Sequence, residues 1–295
     1  IGSNSVRLVI YRLGKRGHDI IEEKKAVCGL ARGMGHDRPY LDAKGMAKTL
    51  KALRKFRRVI AQCQPRTVLA IGTAAMRAVE RTKQGRAFHK KAERALGAKI
   101  AVISGIKEAR LTAKGVMASL PRAKGICGDL GGGSLELAAI RRGRIGHTAT
   151  LPLGSLTLIH ETGGDALEAE AIMRARLGGL PWLGRHKGGT FYPIGGSWRA
   201  VARVMMSIRH RKPRSVHGYA ISATAARKLA AFIAGQKPAA FRAMQKKVRQ
   251  RADVVPFAAA VLVEIIARMR PARIVFSGHG VREGLVREYR VRSGI

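Results

Sequence analysis

Asp and Glu number only 18 among 295 residues, so the places where they meet glycine turns are informative. Asp129 ends an apolar run, Leu130-Gly131-Gly132-Gly133-Ser134 follows, and Glu136 interrupts a second apolar run. Three consecutive glycines carry no Cβ to hold phosphate oxygens away, so their N–H groups and the Ser134 hydroxyl can converge on an anion. Two hard-oxygen donors bracketing that cradle, Asp129 and Glu136, are what Mg2+ uses when it binds through carboxylate, water and substrate phosphate. An ordinary glycine hairpin with solvated acids has the same pattern. A second turn, Gly195-Gly196-Ser197, falls between a strand and a helix, where backbone donors at the helix N-terminus again suit an anion. Near the start, Gly2 to Ser5 offers N–H groups with the side chains of Ser3, Asn4 and Ser5, or is a plain β-turn. Arg77 sits at a strand-to-helix junction from which a guanidinium can meet a phosphate bidentately; a surface arginine is the alternative. Glu108 falls in the first turn of a helix, where the macrodipole favours its charged form; a structural N-terminal glutamate fits equally.

The elements that must position these residues are legible from period and punctuation. Gly125–Ile140 reads as strand, glycine turn, strand. A strand begins near Ser5, a charged turn lies near Lys15 to His18, and a second strand follows. From Ala43 to Gln62, Met46, Leu50, Leu53, Phe56 and Ile60 recur near a 3.6 period and predict a long amphipathic helix with a basic opposite face. Strands are predicted over Thr67–Ile71, Lys99–Ser104, Arg144–Leu153, Thr190–Ile194 and Arg273–Phe276. Helices are predicted to Met117, over Ala166–Leu177, mostly through Ala239–Met269, and at the end of the chain. Hairpin strands and helices repeated around two glycine turns suggest duplicated α/β domains.

Lys and Arg total 57, for a net charge of +39, and such a surface attracts polyanions with salt-sensitive affinity. Basic runs lie at Lys51–Arg58, Arg209–Arg214 and Lys246–Arg251. Aromatic residues make up 5%, a poor supply of stacking platforms for single-stranded nucleic acid. Three separated cysteines without a CxxC spacing indicate neither a disulfide framework nor a zinc site. No run approaches the roughly 20 apolar residues of a membrane span, so a cytoplasmic location without membrane attachment is expected.

Eight strings in order carry a resemblance over almost the whole chain: IGSNSVRLVIY, GTAAMR, VISGIKEARL, GDLGGGSLEL, IGGSWRAVAR, VHGY, RADVVPFAA and SGHGVREGL. With them the chain resembles the exopolyphosphatase and guanosine pentaphosphate phosphohydrolase (Ppx/GppA) family. The resemblance implies an α/β fold of two ribonuclease-H-like domains with the actin-like ATPase architecture and a cleft between them. It places the first domain at 1–118 and the second at 119–295, with a terminal helix of about 281–295 packing back on the first. Asp129 and Glu136 match the family's metal-associated acids, and Gly131, Gly132, Gly133 and Ser134 its phosphate loop. Ser3, Asn4 and Ser5 match the first domain's loop, ahead of which the family carries a strand and an aspartate that are expected to precede this sequence. Arg77 matches the arginine on the phosphate chain, and Glu108 the glutamate that activates water. The implied activity is Mg2+-dependent release of terminal phosphate from inorganic polyphosphate, with guanosine pentaphosphate hydrolysis as the alternative and a homodimer as the expected assembly. A non-catalytic polyanion-binding regulator, for polyphosphate or nucleic acid, is the competing reading.

Overall fold

A computed structural model describes residues 1–14, 17–35, 39–210 and 215–294. Parts of the charged turn near Lys15 to His18 and of the basic run Arg209–Arg214 lie outside them. The chain divides into two compact units, one of residues 1–105 with 289–295, the other of residues 106–288.

In the first unit, β1 (Ser5–Gly14) and β2 (Gly17–Val27) form an antiparallel hairpin with a bulge at Ile10/Tyr11. Helix α1 (Ala43–Cys63) starts where the Asp42 carboxylate accepts from the Gly45 N–H at 2.6 Å, and ends on Gln64 in the left-handed region. Strand β3 (Ala70–Gly72) leads into α2 (Ala74–Val79), and α3 (Lys83–Leu96) is capped by Thr82 and closed by Gly97. Strand β4 (Ile100–Val102) pairs in parallel with β3. The Ile1 nitrogen donates to the Ile71 carbonyl (2.6 Å) and the Thr73 N–H to the Ile1 carbonyl (3.1 Å). That exchange is a parallel ladder bond, and it brings the Gly2–Ser5 turn beside the start of α2. Leu30, Leu41, Leu53, Phe56, Met76 and Phe88 fill the core of this unit.

The second unit is built on a six-stranded sheet. Helix α4 (Gly105–Ser119) precedes β5 (Gly125–Leu130), β6 (Leu135–Arg141) and β7 (Arg144–Leu151), which run antiparallel in succession. Then come α5 (Ser155–Glu161), α6 (Ala166–Gly178), β8 (Thr190–Ile194) and α7 (Gly196–Ile208). After β9 (Ala220–Ser222) the chain forms α8 (Ala223–Ala234), α9 (Ala239–Arg242), α10 (Lys246–Arg249) and α11 (Val255–Met269). Strand β10 (Arg273–Val275) and α12 (Val281–Arg292) complete it. The order β7-β6-β5-β8-β10, with β9 added at the edge, has β5, β8 and β10 parallel and β6 reversed. This is the ribonuclease-H-like order the resemblance implies.

Side chains of β5 alternate between the two faces of the sheet. Ile126 and Leu130 join Trp198, Val201 and the α8 and α11 residues in the larger core, whereas Cys127 packs with Ala109, Ala113 and Val116 of α4. Helix α4 therefore covers the second unit's sheet, and the division falls near Gly105 instead of 118. The terminal helix is also shared. Its Gly284 lies so close to the Leu111 carbonyl that a Cβ would collide, while from Tyr289 it belongs to the first unit. There Tyr289 meets the Thr67 hydroxyl (3.0 Å), and Arg290 holds the carbonyls of Gly14 and Gly17. Cys63 is exposed, and Cys28 and Cys127 are buried.

Candidate active site

The carboxyl ends of parallel strands, where each turns toward its helix, are where α/β sheets bind ligands. Asp129 occupies that position on β5, and the turns after β8 and β10 close around it. Gly195, at φ 102°, sits so that a Cβ would stand 2.8 Å from Asp129 Oδ1 and would collide with the Leu130 carbonyl. A Cβ on Gly280 would be 3.7 Å from Oδ2. Glycine at 195 is thus required by backbone conformation and by space together.

Desolvation is the main reason the Asp129 pKa rises to about 6; Arg199 and Arg282 oppose it and Glu283 adds to it. The Thr112 hydroxyl faces the carboxyl, too far or too oblique for a well-formed hydrogen bond. Asp129 is the direct cross-strand partner of Glu136, so both carboxylates lie on the α4 face with side chains adjacent. Glu136 is buried and accepts from the Thr150 hydroxyl at 3.0 Å. Glu108, also buried, stands one helical turn before Thr112 on α4 and so shares its face. No group of three or more His, Cys, Asp or Glu side chains able to hold a metal occurs among the described residues. The donor set that remains is the Asp129–Glu136 pair.

The glycine turn is held from behind. The Gly131 carbonyl accepts from Ser155 N–H, that of Gly132 from Leu156 and Thr157 N–H, and that of Gly133 from the Thr157 hydroxyl. Gly154 packs against Gly132 and Gly133 so closely that a Cβ would collide. With its carbonyls committed to the start of α5, the turn keeps the N–H groups of Gly132, Gly133 and Ser134 without acceptors among the described residues. At the second turn Ser197 meets Ser155, Oγ to Oγ, at 3.1 Å, and the first N–H groups of α7 are the usual unpaired donors of a helix start.

Guanidinium groups gather beside these carboxylates. Arg199 donates to the Gly278 carbonyl (3.2 Å) and Arg203 to the Arg199 carbonyl (3.0 Å). Arg251 lies over Gly196, its Cζ 2.9 Å from where a Cβ would be. Burial and the neighbouring Arg199 and Arg203 push the Arg251 pKa down; burial and then Arg282 do the same to Arg199. Such mutual repulsion is what an incoming polyanion relieves.

The second unit therefore gathers Glu108, Asp129, Gly131, Gly132, Gly133, Ser134, Glu136, Gly195, Gly196 and Ser197. The remaining sequence candidates belong to the first unit. Ser3 is buried, its carbonyl accepting from Ala31 N–H, and the Asn4 carbonyl accepts from Cys28 and Gly29. The Gly2 N–H closes the turn onto the Ser5 carbonyl, and Arg77 Nη1 donates to the Ile103 carbonyl at 2.8 Å. Lys107, next to Glu108, is turned away: its ammonium, with that of Lys114, grips Glu288 at 2.6 Å. Sequence reasoning missed Thr112, Gly280, Arg282 and Glu283. The only signal for the last three is the SGHGVREGL string after the last strand, and the Gly280 N–H to Glu283 carboxylate bond (2.7 Å) that starts α12 fits its spacing.

Known proteins share this fold. The exopolyphosphatase of Cytophaga hutchinsonii is 20% identical with a TM-score of 0.87, covering 100% of this chain and 96% of that one. The PPX-GPPA enzyme of Aquifex aeolicus is 22% identical with a TM-score of 0.75, covering 97% and 96%; at such identities the likeness is one of fold. A bifunctional 3-dehydroquinate synthase/phosphatase of Fusobacterium nucleatum is 30% identical over 167 residues, 54% of this chain. That match spans about a quarter of the relative, 25% of its length. A family model matches residues 9–290, and with both glycine turns and the sheet order in place the chain belongs to the Ppx/GppA phosphatase family.

Proposed function

We propose that the protein is an exopolyphosphatase, removing the terminal phosphoryl group of inorganic polyphosphate by hydrolysis. The observation that carries this reading is the cluster of four guanidinium groups, Arg199, Arg203, Arg251 and Arg282, beside a carboxylate-flanked glycine turn whose Gly132, Gly133 and Ser134 N–H groups have no acceptor among the described residues. A phosphoryl group undergoing displacement needs positioning and charge stabilisation more than covalent chemistry. The N–H groups of Gly132, Gly133 and Ser134 would hold its oxygens, with Arg199 and Arg251 on the adjoining phosphates. Glu108 orients the attacking water and takes its proton as the new P–O bond forms; the P–O–P bridge breaks and the shortened chain leaves with the electron pair. The family resemblance would give Arg77, Ser3, Asn4 and Ser5 of the first unit phosphate-binding roles as well. Asp129 and Glu136 fit Mg2+, because a carboxyl pushed toward neutrality by burial is stabilised as the anion by a divalent cation beside it. When bound there, Mg2+ would neutralise charge on the phosphoryl oxygens.

Polyphosphate is favoured over guanosine pentaphosphate because Trp198, beside Ser197, offers a base no face: it is fully buried with its indole N–H on the Ala258 carbonyl. Phosphate release should be measured with polyphosphate, guanosine pentaphosphate and ATP, with and without EDTA. The expected result is at least tenfold higher kcat/KM for polyphosphate, activity lost with EDTA and restored by Mg2+. A preference for guanosine pentaphosphate would overturn the substrate assignment, and no release from any of the three would overturn hydrolysis.

A further inference from the structure

A groove of about 830 Å³ runs between α1 and α3 in the first unit and shares no residue with the candidate active site. It is lined by Arg54, Arg57 and Arg58 from α1, by Lys91 and Arg94 from α3, and by the apolar residues Leu50, Ala61 and Ala95. On α1 these residues recur at the spacing of one helix face, and Leu50 to Ala61 spans about 16 Å of helix.

None of the five cations has an ion-pair partner among the described residues. Helix α1 contains no acidic residue, and Glu93 of α3 is turned to the Ile100 N–H (2.9 Å), His89 and Lys99. Arg57 is instead laid over Gly97, its Nε 3.0 Å from where a Cβ would stand. Five unneutralised charges converging on one groove repel one another, and a ligand carrying several negative charges removes that repulsion.

The apolar part of the lining narrows the ligand further. A bare polyphosphate would leave it wet, and a single-stranded nucleic acid would find no aromatic platform on it. Four of the five cations are arginines, whose guanidinium planes stack on flat rings and whose forked donors meet phosphates in pairs, which lysine does not do. The volume lies within the range of small-molecule sites. We infer that this groove binds a nucleotide carrying two or more phosphates, with the base on the apolar lining at one end of the groove and the phosphates held by the arginines. The inference does not depend on the hydrolytic reading of the second unit.

The test is the fluorescence anisotropy of a methylanthraniloyl β,γ-imido ATP titrated with the full chain in EDTA. Saturable binding is expected, weakened at least tenfold by Arg57→Ser with Arg94→Ser. The exposed pair Arg227 and Lys228 of α8, changed to Ser together, removes the same charge and should alter affinity less than twofold. Unlabelled imido-ATP should displace the probe at a concentration at least tenfold below that of tripolyphosphate. Absence of binding, equal weakening by the α8 control, or equal displacement by tripolyphosphate would each overturn the site. Binding of a single-stranded oligonucleotide more than tenfold tighter than the mononucleotide would replace it with a nucleic-acid track. Should the first double variant not fold, Arg58→Ser with Lys91→Ser carries the same expectations.

Discussion

At the residue scale, Asp129 carries opposed demands of stability and activity. Its pKa is raised to about 6 chiefly by desolvation, so between the unfolded value near 3.8 and about 6 the folded chain binds more protons than the unfolded one. Stability from this group is then fully present below the unfolded value and falls as pH rises through that window. Asp129→Asn should raise the melting temperature at pH 8, by on the order of 1–3 kcal/mol of stability, and leave it unchanged at pH 3.5, while abolishing the Mg2+-dependent activity. Thermal denaturation at the two pH values checks the first half and phosphate release the second. Wild-type kcat/KM should climb with pH through about 6, because the metal-binding form is the ionised one. Glu108 tests the chemistry more directly. Glu108→Gln keeps the size and removes the basic oxygen, so kcat should fall by about 10² to 10⁴ with KM unchanged or lower. Near-normal kcat with a lowered melting point would make Glu108 a purely structural start to α4.

At the scale of elements, the contact of α12 with α4 aligns the last of the turns around Asp129. Gly115 sits against the Gly280 carbonyl and Gly284 against that of Leu111, each without room for a Cβ. Gly284→Ala should therefore push the two helices apart, cost about 1–3 kcal/mol, and lower kcat, because Arg282 and Glu283 move with the helix. Melting temperature and steady-state kinetics on one preparation decide it; unchanged values in both would show that the helices yield without disturbing the site. Elements with their own periodicity or punctuation were readable in advance. The β5–β6 hairpin, β8 and α1 fall within a residue or so of where apolar alternation, flanking glycines and the 3.6 period put them. The three-residue edge strand β9 was not read, since so short a segment has no period. The span Ala239–Met269, expected to be mostly helical, is so in pieces: two four-residue helices and a 3-10 turn precede α11, which Pro256 opens. The allegiance of α4 escaped for another reason: an amphipathic stripe shows that a helix packs, and not on which sheet. Likewise the two glycine turns of the site could be read locally, whereas Arg282 and Glu283 reach Asp129 from more than 150 positions away through the β10–α12 turn.

At the scale of the whole molecule, the charge of +39 sets how substrate is gathered. Polyphosphate exchanges condensed counterions for protein cations much as nucleic acid does, so KM should rise steeply with ionic strength, most of all for long chains. A KM flat between 50 and 200 mM salt, measured on long polyphosphate, would detach the basic surface from catalysis. The placement of the three cysteines has a practical consequence for such measurements. Burial beside Asp129 pushes the Cys127 thiol up to about 12, Cys28 is enclosed in the first unit's core, and Cys63 stands in the open at the end of α1. Reactivity follows the accessible thiolate, so brief maleimide treatment of the native chain should add a single label, at Cys63. A dye introduced there without any mutation stands two residues from Ala61, where it can report on the filling of the α1–α3 groove while turnover is followed independently.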